Sequence, residues 1–169
     1  SYKSNTLMEI NRSVSFLYRF YNSEQQDDVI FFHTGEMGDL EQSHILSLCD
    51  TSNSTARFLD VGEYFRLPPG VPDASKWRFR ARFSAGYRHM IRFFTVGLWP
   101  IVARQGYDYV MRLDADSYLL SPIRYNLFRF MHARGFEYGF RMAAWEDGLG
   151  THGERFQTFV REYAMKYHI

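Results

Sequence analysis

The apolar residues change their period several times along the chain, and this constrains the fold more than any single motif does. Leu7, Ile10, Val14, Leu17 and Tyr21 recur at spacings of three and four, the mark of an amphipathic helix. Asp27 and Asp28 then precede the continuous apolar run Val29-Ile30-Phe31-Phe32, which predicts a short buried strand. Leu40 to Leu48 returns to a helical pattern, Arg57 to Phe65 reads as a strand, and Leu67-Pro68-Pro69-Gly70-Val71-Pro72 is a loop. Helical spacing resumes from Ser84 to about Arg104, interrupted near Gly97 and Pro100. Tyr107 to Leu113 predicts a strand that ends in Asp114-Ala115-Asp116, and Ile123 to Met131 a helix. Glu137 to Trp145 predicts a strand, and Glu154 to Tyr167 a last helix with Phe156, Phe159, Val160 and Tyr163 inward. Helices alternating with short buried strands make an α/β layer on a mainly parallel sheet.

A chain of 169 residues suffices for one domain with a real core, and the loop at 67–72 lies within it because both flanks carry apolar pattern. A formal net charge of +1 gives no electrostatic ground for nucleic acid or an anionic membrane as partner. No apolar run reaches the ~20 residues of a membrane span, and no signal peptide is visible. Cys49 is the single cysteine, so no disulfide forms within the chain. Aromatic residues make up 18% of the sequence, and each ring is read first as core filler and only second as a stacking face for a sugar or base.

The stretch Tyr109-Val110-Met111-Arg112-Leu113-Asp114-Ala115-Asp116 delivers two carboxylates at the end of an apolar run. Open α/β sheets place ligands at the carboxyl ends of their strands. Two carboxylates there with Mg²⁺ or Mn²⁺ can clamp a diphosphate and neutralise it as it leaves. The alternative is a solvated turn in which Asp114 caps the next segment. With ten aspartates in the chain, chance places about 0.6 Asp-x-Asp triplets, so position after a strand is what raises this one. A rival acidic pair, Asp39 and Glu41, follows the first strand through His33-Thr34-Gly35-Glu36-Met37-Gly38. That loop lacks the glycine spacing and the Gly-Lys-Ser/Thr of a phosphate loop, and Asp39 reads as a helix cap.

The segment Gly86-Tyr87-Arg88-His89-Met90-Ile91-Arg92-Phe93-Phe94 resembles the Tyr-Arg-His-Met-Cys-Arg-Phe block of the yeast-type α-1,2-mannosyltransferases. Three further blocks of that family have counterparts in the same order: Tyr107-Asp108-Tyr109 with Arg112-Leu113-Asp114-Ala115-Asp116, then Tyr125 to Met131, then Tyr138-Gly139-Phe140. The match covers about residues 84–147. Here Asp114-Ala115-Asp116 replaces the family's Glu-Pro-Asp, Ile91 and Ser121 replace cysteines, and the family's C-terminal half has no counterpart.

The resemblance implies a GT-A-like nucleotide-diphospho-sugar transferase sheet flanked by helices. It implies retaining transfer of mannose from GDP-mannose to a glycan acceptor with Mn²⁺, in the Golgi lumen, by a protein with one N-terminal membrane anchor. Asp114 matches the family's acidic metal position, and Asp116 supplies the second carboxylate. Glu146 aligns with a glutamate considered as nucleophile; its other reading is a solvated loop carboxylate. Tyr87, Arg88 and Arg92 are donor-binding candidates, since a guanidinium recognises phosphate oxygens at two points. Against this, either arginine can be a surface ion pair or a side chain snorkelling at the core edge, and His89 reads as a satisfied, partly buried histidine. Arg112 neutralises the carboxylates when no metal is bound. Trp145 beside Glu146 is the best of Trp77, Trp99 and Trp145 for stacking on a sugar.

A nucleotide-binding α/β domain opens with a strand, whereas this chain opens with a helix and without methionine. The expectation is a single partial catalytic domain over 1–169, incomplete at both ends and inactive alone. Rival functions are a GT-A transferase with another nucleotide sugar, an inactive glycan-binding relative, and a metal-dependent nucleotidyltransferase.

Overall fold

In the computed structural model, which describes residues 2–71, 84–142 and 150–168, the first amphipathic stretch forms helix α1 (Tyr2–Leu17). A π-helical turn (Tyr18–Asn22) and a final turn, α2 (Ser23–Gln25), continue it. Its buried side is Val14, Leu17, Tyr18 and Tyr21, with Leu7 and Ile10 partly buried on the same cluster, so the predicted stripe is borne out. Gln26 ends the run in left-handed backbone at φ 55° and turns the chain toward the first strand.

Strand β1 (Val29–His33) pairs in parallel with β2 (Ala56–Asp60), Val29 opposite Ala56 and His33 opposite Asp60. Helix α3 (Asp39–Leu46) lies in the connection between them. Successive side chains of a strand point to opposite faces. Val29, Phe31 and Phe58 therefore pack with Val14, Tyr18 and Ile45 of the α1 and α3 layer. Phe32, Leu59 and the adjoining Val61 pack instead with Phe93, Leu98, Ile101 and Val102. Helical layers on both faces explain why β1 is apolar without alternation. All of β1 remains partly accessible, short of the fully buried strand expected, because each strand has one neighbour among the described residues. The α/β class is borne out at the level of this two-stranded parallel sheet.

The second layer comes from one nearly continuous helical run. Ser84 accepts the Tyr87 N–H on its hydroxyl at 3.3 Å and caps α4 (Ala85–Arg92). A π-helical turn (Phe93–Gly97) and α5 (Leu98–Arg104) follow, so the predicted interruption at Gly97 is a π-turn rather than a break. Gly97 is needed for close approach: a Cβ there would lie 2.8 Å from Tyr64 Cδ1.

Three sequence expectations are corrected. The strand read over Arg57 to Phe65 stops at Asp60, whose carboxylate accepts the Gly62 N–H at 2.7 Å and bends the chain into a 3₁₀ turn (Gly62–Phe65). Tyr107 to Leu113 is not a strand. It opens an irregular stretch to Asn126 that is held by scattered hydrogen bonds, mostly from side chains, instead of a ladder. Tyr107 Oη donates to Asp28 Oδ2 at 2.6 Å, Ser13 Oγ to the Ser117 carbonyl at 2.8 Å, and the Ile123 N–H to the Phe20 carbonyl at 2.9 Å. Asn126 Nδ2 donates to both Asp27 oxygens at 3.0 and 3.2 Å, and its own Oδ1 caps α6 (Leu127–Arg134) by accepting the Arg129 N–H. The helix predicted from Ile123 therefore starts four residues later.

The chain divides into the units Ser1–Ala133 and Arg134–Ile169. In the second, residues 137–142 are irregular and exposed, against the predicted strand, and 143–145 lie outside the described residues. Helix α7 (Gly150–Tyr167) forms as predicted, but Phe159, Val160 and Tyr163 are 58%, 45% and 47% exposed rather than inward. No other complete element of that unit is described for this face to pack on; its rings contact one another along the helix, Tyr163 tilted against Tyr167 at 4.5 Å. Among the described residues no helix is long and apolar enough to cross a membrane.

Candidate active site

Both strands end on polar residues, and the carboxyl end of a parallel sheet is where ligands bind in open α/β layers. A cleft of about 430 Å³ opens there, lined by Thr34 after β1, Asp60 and Gly62 after β2, and Glu63 and Arg66 beyond them. The walls are set by local hydrogen bonds. The His33 carbonyl accepts the Val61 N–H at 2.8 Å, carrying the pairing one step past the strands. His33 Nδ1 accepts from Gly35, whose φ of +90° favours glycine and turns the loop back. Glu36 Oε2 accepts both the N–H (2.9 Å) and the hydroxyl (2.5 Å) of Thr34. Burial pushes the Glu36 carboxyl up, but these bonds outweigh it and hold it below its ordinary value.

Asp39 and Glu41 do not form a ligand pair. Asp39 is the first residue of α3, and Glu41 Oε2 accepts the Gly38 N–H at 2.9 Å. The expected Asp39 cap is thereby corrected: Asp39 already lies inside the helix, and Glu41 supplies the capping carboxylate instead.

The outer wall of the cleft hangs on α4. Arg92 Nη2 donates to the Tyr64 carbonyl in a short contact and to the Arg66 carbonyl at 2.8 Å. Its guanidinium thus braces the turn that carries Glu63 and Arg66. Tyr87 and Arg88, at the start of the same helix, are exposed. His89 is buried with its ring 6.4 Å from Phe65. Burial and the nearby Arg92 charge lower its pKa, consistent with a neutral packing histidine.

Asp114 and Asp116 lie on an exposed turn closed by the Ser117 N–H donating to the Asp114 carbonyl at 2.9 Å. Arg112 grips Asp114 at two points, Nε to Oδ1 at 2.7 Å and Nη2 to Oδ2 at 3.2 Å. The same guanidinium sits 3.8 Å above the Phe94 ring. Phe94 belongs to the π-turn and also lines a second cavity, of about 190 Å³, with Phe32, His33, Thr34, Glu36 and Phe93. Arg112 therefore links the Asp114 turn to the ring that borders the carboxyl end of β1.

The donor chemistry of this turn fits a hard divalent ion. Its carboxylates are oxygen donors in contact with solvent, and no group of three His, Cys, Asp or Glu side chains able to cage a metal occurs among the described residues. One or two carboxylates completed by substrate phosphates and water is the usual Mg²⁺-type arrangement.

Glu146, Trp77 and Trp145 lie outside the described residues. Trp99 is exposed and donates its Nε1–H to the Thr95 carbonyl at 3.1 Å. Sequence reading singled out Arg92 and Asp114 but passed over Thr34, Asp60, Glu63 and Arg66. The available signal was a polar residue directly after each of two apolar runs that pair side by side.

The family model described as "Glycolipid 2-alpha-mannosyltransferase" matches residues 2–151. The chain is 24% identical over 150 residues to "Glycolipid 2-alpha-mannosyltransferase 1" of Candida albicans, across 83% of this chain and 34% of that protein. It is 30% identical over 81 residues to "Probable mannosyltransferase KTR3" of Saccharomyces cerevisiae, across 47% of this chain and 20% of the relative. The chain thus spans about a third and a fifth of their lengths. No solved structure matches.

Proposed function

The chain belongs to the glycolipid 2-alpha-mannosyltransferase family, and from that premise we propose that it forms the donor side of a metal-dependent GT-A-type mannosyltransferase. The reaction is α-1,2 transfer of mannose from GDP-mannose to a glycan in protein or lipid glycosylation. The observation that carries this reading is the link Asp114–Arg112–Phe94, which ties an exposed Asp-x-Asp turn to the border of the cavity at the end of β1.

In this reading the nucleoside occupies the cleft at Thr34, Asp60 and Arg66, where a carboxylate accepts from base N–H or ribose hydroxyl groups. Arg92 keeps the cleft wall in place through the Tyr64 and Arg66 carbonyls. Asp114 and Asp116 hold a divalent ion, Mn²⁺ by resemblance. When bound, that ion neutralises charge on the departing diphosphate. Arg112, which pairs with Asp114, shares that charge in this reading. By family resemblance Glu146 is the carboxylate proposed as nucleophile or as a stabiliser of developing positive charge. By family resemblance the protein works on the lumenal face of the Golgi membrane.

The test is a donor panel. GDP- and UDP-sugars are offered to the full protein, and nucleotide release and transfer to a mannoside are measured. GDP-mannose is expected to turn over fastest. Preference for a UDP-sugar would reject the mannosyl reading while leaving a nucleotide-sugar site; binding of glycan without turnover of any donor would mark an inactive relative.

A further inference from the structure

Arg112 takes both oxygens of Asp114, and those same oxygens are what a metal ion would need. A fork of two parallel N–H···O bonds saturates the carboxylate face it meets. The Phe94 ring lies 3.8 Å from the guanidinium carbon and holds the cation over its face. The arrangement is not buried: the two side chains are 43% and 51% exposed, so they part and re-form at little desolvation cost. A guanidinium also binds phosphate oxygens in the same two-point manner, so a diphosphate offers Arg112 an alternative partner.

We propose that Arg112 is a placeholder counter-ion for Asp114, which makes ion binding at the Asp114–Asp116 turn depend on the donor diphosphate. Without nucleotide, Arg112 occupies Asp114 and opposes a divalent ion twice, by taking its ligand oxygens and by its own positive charge. With a diphosphate present, Arg112 moves its fork to the phosphate oxygens and leaves Asp114 free. The donor and the ion are then taken up together, and the ion alone is held weakly. This rests on the reading of Asp114 and Asp116 as the ion site, and the test separates the two.

Mn²⁺ binding to the full protein is followed by the electron paramagnetic resonance signal of free Mn²⁺, with and without GDP. Wild type is expected to bind Mn²⁺ weakly alone and clearly more tightly with GDP. Arg112→Gln is expected to tighten nucleotide-free binding about fivefold and to shrink the gain from GDP. Arg112→Lys keeps the charge without the fork and is expected to fall between the two. Nucleotide-free Mn²⁺ affinity equal to wild type in either variant overturns the placeholder role. If Asp114→Asn and Asp116→Asn both retain wild-type Mn²⁺ binding, the ion-site reading itself fails, whatever Arg112 does.

Discussion

Arg112 and Asp114 stand two residues apart and hold each other at two points, 2.7 and 3.2 Å, above a turn that leaves both about half exposed. Pairs so close in sequence need little ordering, and water screens their attraction. Such a pair contributes about 0–1 kcal/mol to folding. Arg112→Gln and Asp114→Asn are each expected to lower the unfolding free energy by less than about 1 kcal/mol in urea titrations. A loss of several kcal/mol would make the pair a structural clamp and remove the argument that it is kept for ligand chemistry.

Gly97 gives the opposite expectation. A methyl group there would meet Tyr64 Cδ1 at 2.8 Å and Phe93 Cδ2 at 3.1 Å. Phe93 is 1% exposed and packs on Phe32 and Tyr64, so it has no room to yield. Tyr64 belongs to the 3₁₀ turn that carries the cleft residue Glu63, so moving it disturbs that turn. Gly97→Ala is expected to cost about 1–3 kcal/mol by overpacking, read by thermal or urea unfolding. It should also weaken nucleotide binding if the cleft holds the nucleoside. Wild-type stability in this variant would mean that the π-turn and the 3₁₀ turn are not packed as closely as described.

The parts of the fold that were legible are those where burial is written into the period of the sequence. The α1 stripe at Leu7, Ile10, Val14 and Leu17 and the run at Val29–Phe32 each face a helical or sheet layer, so pattern and structure agree. Tyr107–Leu113 carries a similar apolar run, but period cannot tell a strand from an extended segment whose polar groups are met by Asp28 and Asp114. The α7 stripe shows the same limit: spacing identifies a helix with an apolar face, not what covers it. The site was half legible. Asp114 with its neighbour Arg112 was read as a neutralised pair, which agrees with the bidentate contact. Asp60 and Thr34 became visible only through the register that puts His33 opposite Asp60, because a single polar residue after a strand looks like any turn.

The pairing of Asp28 with Tyr107 predicts a pH dependence of stability. Burial alone would raise Asp28, but the Tyr107 hydroxyl at 2.6 Å and the Thr55 N–H at 2.6 Å outweigh it and lower its pKa. Its contribution is therefore present above the ordinary carboxylate range and lost as pH falls through the lowered value. Tyr107 is raised, first by burial and then by donating to Asp28. Its contribution is present below the ordinary phenol value and lost as pH rises through the raised one. The stability difference between wild type and Tyr107→Phe is thus expected to be about 1 kcal/mol from about pH 5 to 9 and to shrink toward pH ~3. A difference that stays constant down to pH ~3 would mean the hydroxyl is not bonded to an ionised Asp28.

Arg92 separates two ways in which the arginines of α4 can serve a donor site. The sequence resemblance makes Arg92 a candidate for the diphosphate, whereas in the structure its Nη2 donates to the Tyr64 and Arg66 carbonyls. A charged donor shared by two carbonyls contributes about 1.5–3 kcal/mol, reduced by its partial exposure. Arg92→Ala is therefore expected to lower stability by roughly 1–2 kcal/mol, and to loosen the turn carrying Glu63 and Arg66. If the loosened cleft is the proposed nucleoside site, GMP and GDP should lose affinity by the same factor. Direct contact with the outer phosphate would instead weaken GDP several-fold more than GMP. Isothermal titration of both nucleotides against wild type, Arg92→Ala and Arg92→Lys distinguishes these. Equal losses, partly restored by lysine, identify Arg92 as a positioning residue; a loss confined to GDP would show that its guanidinium leaves the carbonyls when the donor binds.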